Sequence, residues 1–174
     1  MKGGLTRGLS VTSRHTLIVT VWGTKEMQQR EYTSNGKLIR FINLDDSIDY
    51  TQHAIELCTD QLVVCHHGYT QHRVLIVNSN GVIIKSYGGF EGSSKEQLNV
   101  PYCLAVDKIN NVIFVADHYN NKVQLLSGTE LTHLGDVTLS TRQLSHPLRL
   151  YFDELNSLLY IGEWKGRVLI VKTE

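Results

Sequence analysis

The side chains with most scope for chemistry are imidazoles, and three of them, His66, His67 and His72, fall within seven residues of one another. With His53 they are the histidines that would have to converge on a zinc ion, which takes three or four such ligands. No carboxylate pair is set beside them, so no metal or other cofactor is expected. A wider set comprises Trp22, His66, His67, Tyr69, His72, His118, Tyr119 and Trp164. These side chains offer large contact area with a polar tip, the make-up of a docking surface. Lys25, Arg73, Lys122, Lys165 and Arg167 fall near them, and cations among aromatics are what hold single-stranded nucleic acid. Against that reading, 17 basic residues are balanced by 17 acidic ones, a poor match to phosphate neutralisation. No nucleophile arrangement or paired-carboxylate site is legible. Gly88, Gly89 and Gly92 lack the strand-to-helix setting of a nucleotide cradle and read as a linker. The expectation is a binding protein that is not an enzyme.

The elements that must position these residues are short strands. In Val100 to Ser127, Tyr102–Val106 follows a proline that cannot donate to a ladder, which marks a strand start. Val112–Ala116 is a β-branched and aromatic run, and Lys122–Leu126 is a third strand. Between them, turns at Asp107–Asn111 and Asp117–Asn121 carry residues that tolerate left-handed backbone or bond their own main chain. The unit returns downstream: Pro101 and Pro147 are 46 residues apart, as are Asp107 and Asp153, and Gly36 and Gly81 are 45 apart. A period in the mid-forties with four strands per period is the signature of propeller blades, since one such sheet cannot bury both its faces alone.

The pattern Pro101-x-x-Leu104-Ala105-Val106-Asp107, then Val115-Ala116-Asp117, then Asn121-x-Val123-Gln124-x-Leu126 resembles the NHL repeat. The resemblance extends over residues 5–172 as about four blades, 5–44, 53–89, 98–135 and 144–172, and reaches to invertebrate NHL-repeat proteins of the tripartite-motif (TRIM) type. Cys65-His66 and Gly162-Glu163 stand where the best copy has Ala-Asp. The fold expected is therefore an all-β, partial or open propeller. Its last blade is incomplete, because too few residues follow Val171 for a fourth strand, and the resulting edge invites self-association. A closed four-bladed ring is the structural alternative.

In a four-stranded meander, the loop between second and third strands and the loop into the next blade emerge on one face. That face would collect the aromatic and histidine side chains into a protein-docking rim. The resemblance implies substrate recognition for ubiquitin transfer, with the RING outside these residues. RNA binding, and metal-dependent lyase or lactonase chemistry as in other propellers of this shape, are the alternatives. The third strand of the first blade, Lys25 to Tyr32, with Lys25, Glu26, Gln28, Gln29, Arg30 and Glu31, reads as a solvated outer strand. Residues 1–8 lack a signal-peptide stretch, no apolar run is long enough to cross a membrane, and Cys58, Cys65 and Cys103 have no metal-ligand spacing. Free thiols suit a reducing compartment, so a cytoplasmic protein with no membrane partner is expected.

Overall fold

A computed structural model of the protein describes residues 5–22, 28–140 and 142–173. Among these residues every regular element is a strand, and the strands form four antiparallel sheets in which neighbours in sequence are neighbours in space. The first sheet is β1 (Leu5–Val11), β2 (Leu17–Trp22), β3 (Gln28–Tyr32) and β4 (Leu38–Asn43). The second is β5 (Thr51–Cys58), β6 (Gln61–His67), β7 (His72–Asn78) and β8 (Ile83–Gly89). The third is β9 (Pro101–Asp107), β10 (Val112–Asp117), β11 (Lys122–Ser127) and β12 (His133–Asp136). The fourth has three strands, β13 (Pro147–Asp153), β14 (Leu158–Glu163) and β15 (Val168–Lys172). The chain is thus a β-propeller of four blades, the last with three strands among the described residues.

Each blade folds locally because its turns are chemically specified. Asn111 and Asn121 take φ of 54° and 56°, and Gly36, Gly81 and Gly166 occupy the same left-handed region in the tight turns of the other blades, where a side chain with Cβ is strained unless it is Asn or Asp. Asp107 closes its turn by accepting from the Asn110 amide N–H at 2.9 Å.

The blades then bury one another. Along β6, Val63 and Cys65 point into one core with Leu104, Val106 and Val115, while Leu62 and Val64 point into another with Ile18, Ile42 and Ile48. Successive residues of a strand face opposite sides, so a middle blade is apolar on both faces. A third core joins Phe114 and Val123 to Phe152, Leu159 and Ile161, with the two phenyl rings 5.2 Å apart. Three such cores bind four blades.

The third strand of the first blade departs from its expected solvated state. Gln29 and Glu31 on β3 are only 0% and 3% exposed, because β3 lies between β2 and β4 and turns these two residues towards the second blade. Thr20 Oγ1 donates to Gln29 Oε1 at 2.8 Å. Glu31 accepts from Thr16 Oγ1 at 2.6 Å and from Arg40 Nε at 2.7 Å. The strand is polar inside, and the charge of Glu31 is matched rather than solvated. On β15, by contrast, Val168 and Ile170 are exposed, and no strand pairs with its outer edge among the described residues.

Candidate docking site on the upper rim

The inner strands β1, β5, β9 and β13 surround a central channel of about 550 Å³, lined by Leu9, Val11, His53, Cys103, Arg149 and Phe152 among others. Its upper mouth widens into a second cavity of about 830 Å³. The wall of that mouth is built from the loops entering each blade and from the ends of the second strands. Tyr50, Gln52 and His67 come from the second blade, Val100, Tyr102, His118 and Tyr119 from the third, His146, Trp164 and Lys165 from the fourth, and Arg7 from the first.

Three equivalent residues shape this mouth. Tyr50, Val100 and His146 each immediately precede an inner strand, and each has a positive φ, of 46°, 58° and 49°. A β-branched residue there is a genuine outlier, and at Val100 and His146 the following proline restricts the backbone further. The loops are held in this posture from the strand beneath. The Asp117 carboxylate accepts from the amide of Asn99 at 2.7 Å and from the side chains of Asn120 and Gln124 at 2.8 Å each. Glu163 accepts from the Ser145 amide at 2.7 Å and from Arg167 Nε at 2.7 Å. His66 fills the same slot in the second blade, with Nδ1 3.2 Å from the Asp49 carbonyl and Nε2 accepting from Arg73 Nε at 3.0 Å. Asp49, Asn99 and Ser145 all lie two residues before their inner strand. Three different side chains thus do one mechanical job.

The expected site residues separate accordingly. His118, Tyr119 and Trp164 come together: the His118 ring lies 4.9 Å from Tyr119, 5.2 Å from His146 and 6.2 Å from Trp164. Its Nδ1 lies 3.1 Å from the Pro147 carbonyl oxygen, and burial lowers its pKa. Tyr119 and Trp164 remain well exposed, at 58% and 68%. His67 lines the mouth, its Nε2 2.8 Å from the Gln52 amide nitrogen, and stacks beside Tyr50. Tyr69 stands outside the cavity wall, 88% exposed, with its hydroxyl 3.2 Å from that of Tyr50. His66 and His72 are both buried, and His72 Nδ1 accepts from the Val100 amide at 3.1 Å. Burial and the Arg73 guanidinium push His66 down to about 4, and burial with neighbouring His72 does the same for His67. The side chain of Trp22, and Lys25 and Glu26, lie outside the described residues.

Sequence reasoning did not single out Tyr50, Gln52 or His146 for the site, and it placed Tyr102 only at a strand start. The signal available for Tyr50 and His146 was their shared place before an inner strand. Among the described residues, no three His, Cys, Asp or Glu side chains converge as a metal site would need. His53 lies apart from the other histidines, its Nδ1 accepting from the Leu104 amide at 3.2 Å. The three cysteines are free. Of the expected cationic strip, Arg73 is engaged by His66 and Ser47, Lys122 by Asp136 at 3.4 Å and Arg167 by Glu163 at 2.6 Å. No helix among the described residues is long and apolar enough to cross a membrane.

No protein-family model and no curated protein matches the sequence. Among solved structures, the chain is similar to the crystal structure of the computationally designed Ika4 protein, with a TM-score of 0.60 and 15% identity over 98% of this chain and 92% of that one. At that identity the likeness is one of fold. The chain is an all-β protein whose four antiparallel sheets are arranged as the blades of a β-propeller.

Proposed function

We propose that this protein is a non-catalytic recognition module that docks a protein partner on its upper rim. The observation that carries the reading is the mouth itself: about 830 Å³, walled by aromatic and imidazole side chains from three blades. Exposed Tyr119 and Trp164 supply the amphipathic contact area typical of interface anchors, and the strained loop residues beneath them are held by buried hydrogen bonds, so the surface is preorganised. A protein partner is favoured over RNA because Arg73, Lys122 and Arg167 are already engaged by the protein's own groups. Resemblance to the NHL repeat extends the proposal: the module would serve as the substrate-recognition part of a TRIM-like ubiquitin ligase, with the RING supplied outside this chain.

The test is a parallel pull-down with the wild-type chain and a Tyr69→Ala, Tyr119→Ala, Trp164→Ala triple variant. All three side chains are exposed, so the variant should melt as the wild type does. Loss of specific partners supports the rim; an identical partner list from a folded variant removes this face from consideration.

A further inference from the structure

The mouth and the channel below it share a chemical bias. Among the described residues neither is lined by an aspartate or glutamate, while Arg7 lines both, Arg149 lines the channel and Lys165 lines the mouth. Arg149 is exposed and lies over the Tyr102 ring, its guanidinium carbon 5.0 Å from the centroid. At the junction of the two spaces sits Gln52, only 6% exposed. Its amide nitrogen meets His67, but its Oε1 has no hydrogen-bond partner. A buried amide with an unused end is costly, and of the buried side-chain atoms without a partner among the described residues this one belongs to a residue that lines both spaces. Turned about its last bond, the Gln52 amide accepts from the His67 ring and leaves its N–H groups without a partner at the junction. Leu9, Val11, Leu150 and Phe152 supply apolar wall below.

Building on the docking reading above, we propose that the funnel seats a carboxylate side chain of an acidic peptide segment, held by Arg149 and the Gln52 amide, with flanking residues of that segment against Tyr119 and Trp164. Guanidinium groups pair with carboxylates through parallel charge-assisted hydrogen bonds. A nucleic acid is disfavoured because its backbone needs a track of cations, whereas the described lining of the two spaces holds only Arg7, Arg149 and Lys165.

The experiment is panning of a randomised phage-displayed decapeptide library on the full chain, followed by anisotropy titration of the enriched peptides. Enriched sequences should be rich in Asp and Glu, and their binding should weaken at least tenfold in Arg149→Ala and in Gln52→Glu, the second keeping the side-chain shape while reversing the bias. Arg149 is exposed, so its variant should keep the wild-type melting temperature. Enrichment of neutral or basic peptides that still depend on Tyr119 and Trp164 would overturn the carboxylate seat and leave the docking reading standing. So would acidic peptides indifferent to both variants. No enrichment, or binding indifferent to Tyr119→Ala with Trp164→Ala, would overturn both. Displacement of the peptides by a single-stranded RNA dodecamer would overturn the choice of a peptide partner.

Discussion

Replacing Glu31 by glutamine tests the claim that the first blade has a charged interior. In the wild type, Oε1 accepts from the Thr16 hydroxyl at 2.6 Å and Oε2 from Arg40 Nε at 2.7 Å, with Arg14 Nη2 at 3.5 Å. A glutamine offers an oxygen on one side only. If that oxygen faces Arg40, the amide N–H groups face the Thr16 hydroxyl, which must turn to accept; if it faces Thr16, they oppose a guanidinium. The first arrangement costs less, yet both bonds lose charge assistance, at roughly 1 kcal/mol each or somewhat more. The expected loss is about 2–3 kcal/mol, which in a domain of this size lowers the melting temperature by roughly 5–10 °C. The effect should depend on pH. Burial alone would raise the Glu31 pKa, but Thr16 and Arg40 outweigh it and hold it below its ordinary value of 4.5. The fold therefore favours the charged form, its contribution is complete above pH 4.5, and it is lost as pH falls through the lower folded value. Urea unfolding of both proteins at neutral pH and near pH 3 measures this, the gap narrowing in acid. A difference under about 0.5 kcal/mol at neutral pH, the range of ordinary surface changes, would mean that β3 is solvated after all.

Other outcomes follow from neighbouring features. Gly36 and Gly81 sit in matching turns with φ of 85° and 81°, but a Cβ at Gly81 would overlap the Asn43 carbonyl while one at Gly36 meets nothing. Gly36→Ala should cost about 1–2 kcal/mol for the left-handed backbone, and Gly81→Ala roughly 2 kcal/mol more for the displaced blade; equal losses in thermal melts would contradict the packing of the first blade on the second. His66 and His67, held near 4, should stay neutral at about pH 5.5 in nitrogen-detected NMR titration, and a midpoint above about 6 for either would show that its ring is not buried. Because their folded values are depressed, these two residues stabilise the protein above the ordinary histidine value of 6.5 and lose that contribution as pH falls towards 4.

The fold was legible because burial on both faces leaves a strong mark: Val112–Ala116 and Leu62–Cys65 can hardly be anything but interior strands, and Asn111, Asn121, Gly36 and Gly81 mark their turns. The polar strand misled because Gln29 and Glu31 bear the composition of a surface while their partners lie elsewhere, Thr20 and Arg40 on other strands and Thr16 in the turn before β2. The site was half legible. Loop aromatics such as Tyr119 and Trp164 could be assigned to one face from topology alone. Histidines could not be sorted, since nothing local distinguishes His67, which lines the mouth, from adjacent His66, which ties a loop from underneath. Gln52 carried no signal, as its interest comes from an amide end left unused in three dimensions.

The slot shared by Asp117, Glu163 and His66 has a consequence for how such a chain changes over time. Each residue anchors the loop ahead of its own blade, and a carboxylate that accepts an amide hydrogen and an imidazole that meets a carbonyl oxygen meet the same requirement with opposite polarity. Selection acting on the anchor rather than on its identity lets each blade drift independently. Copies can lose the letters of their repeat while keeping its spacing, and the kinship of the blades then survives in their geometry after it has faded from their sequences.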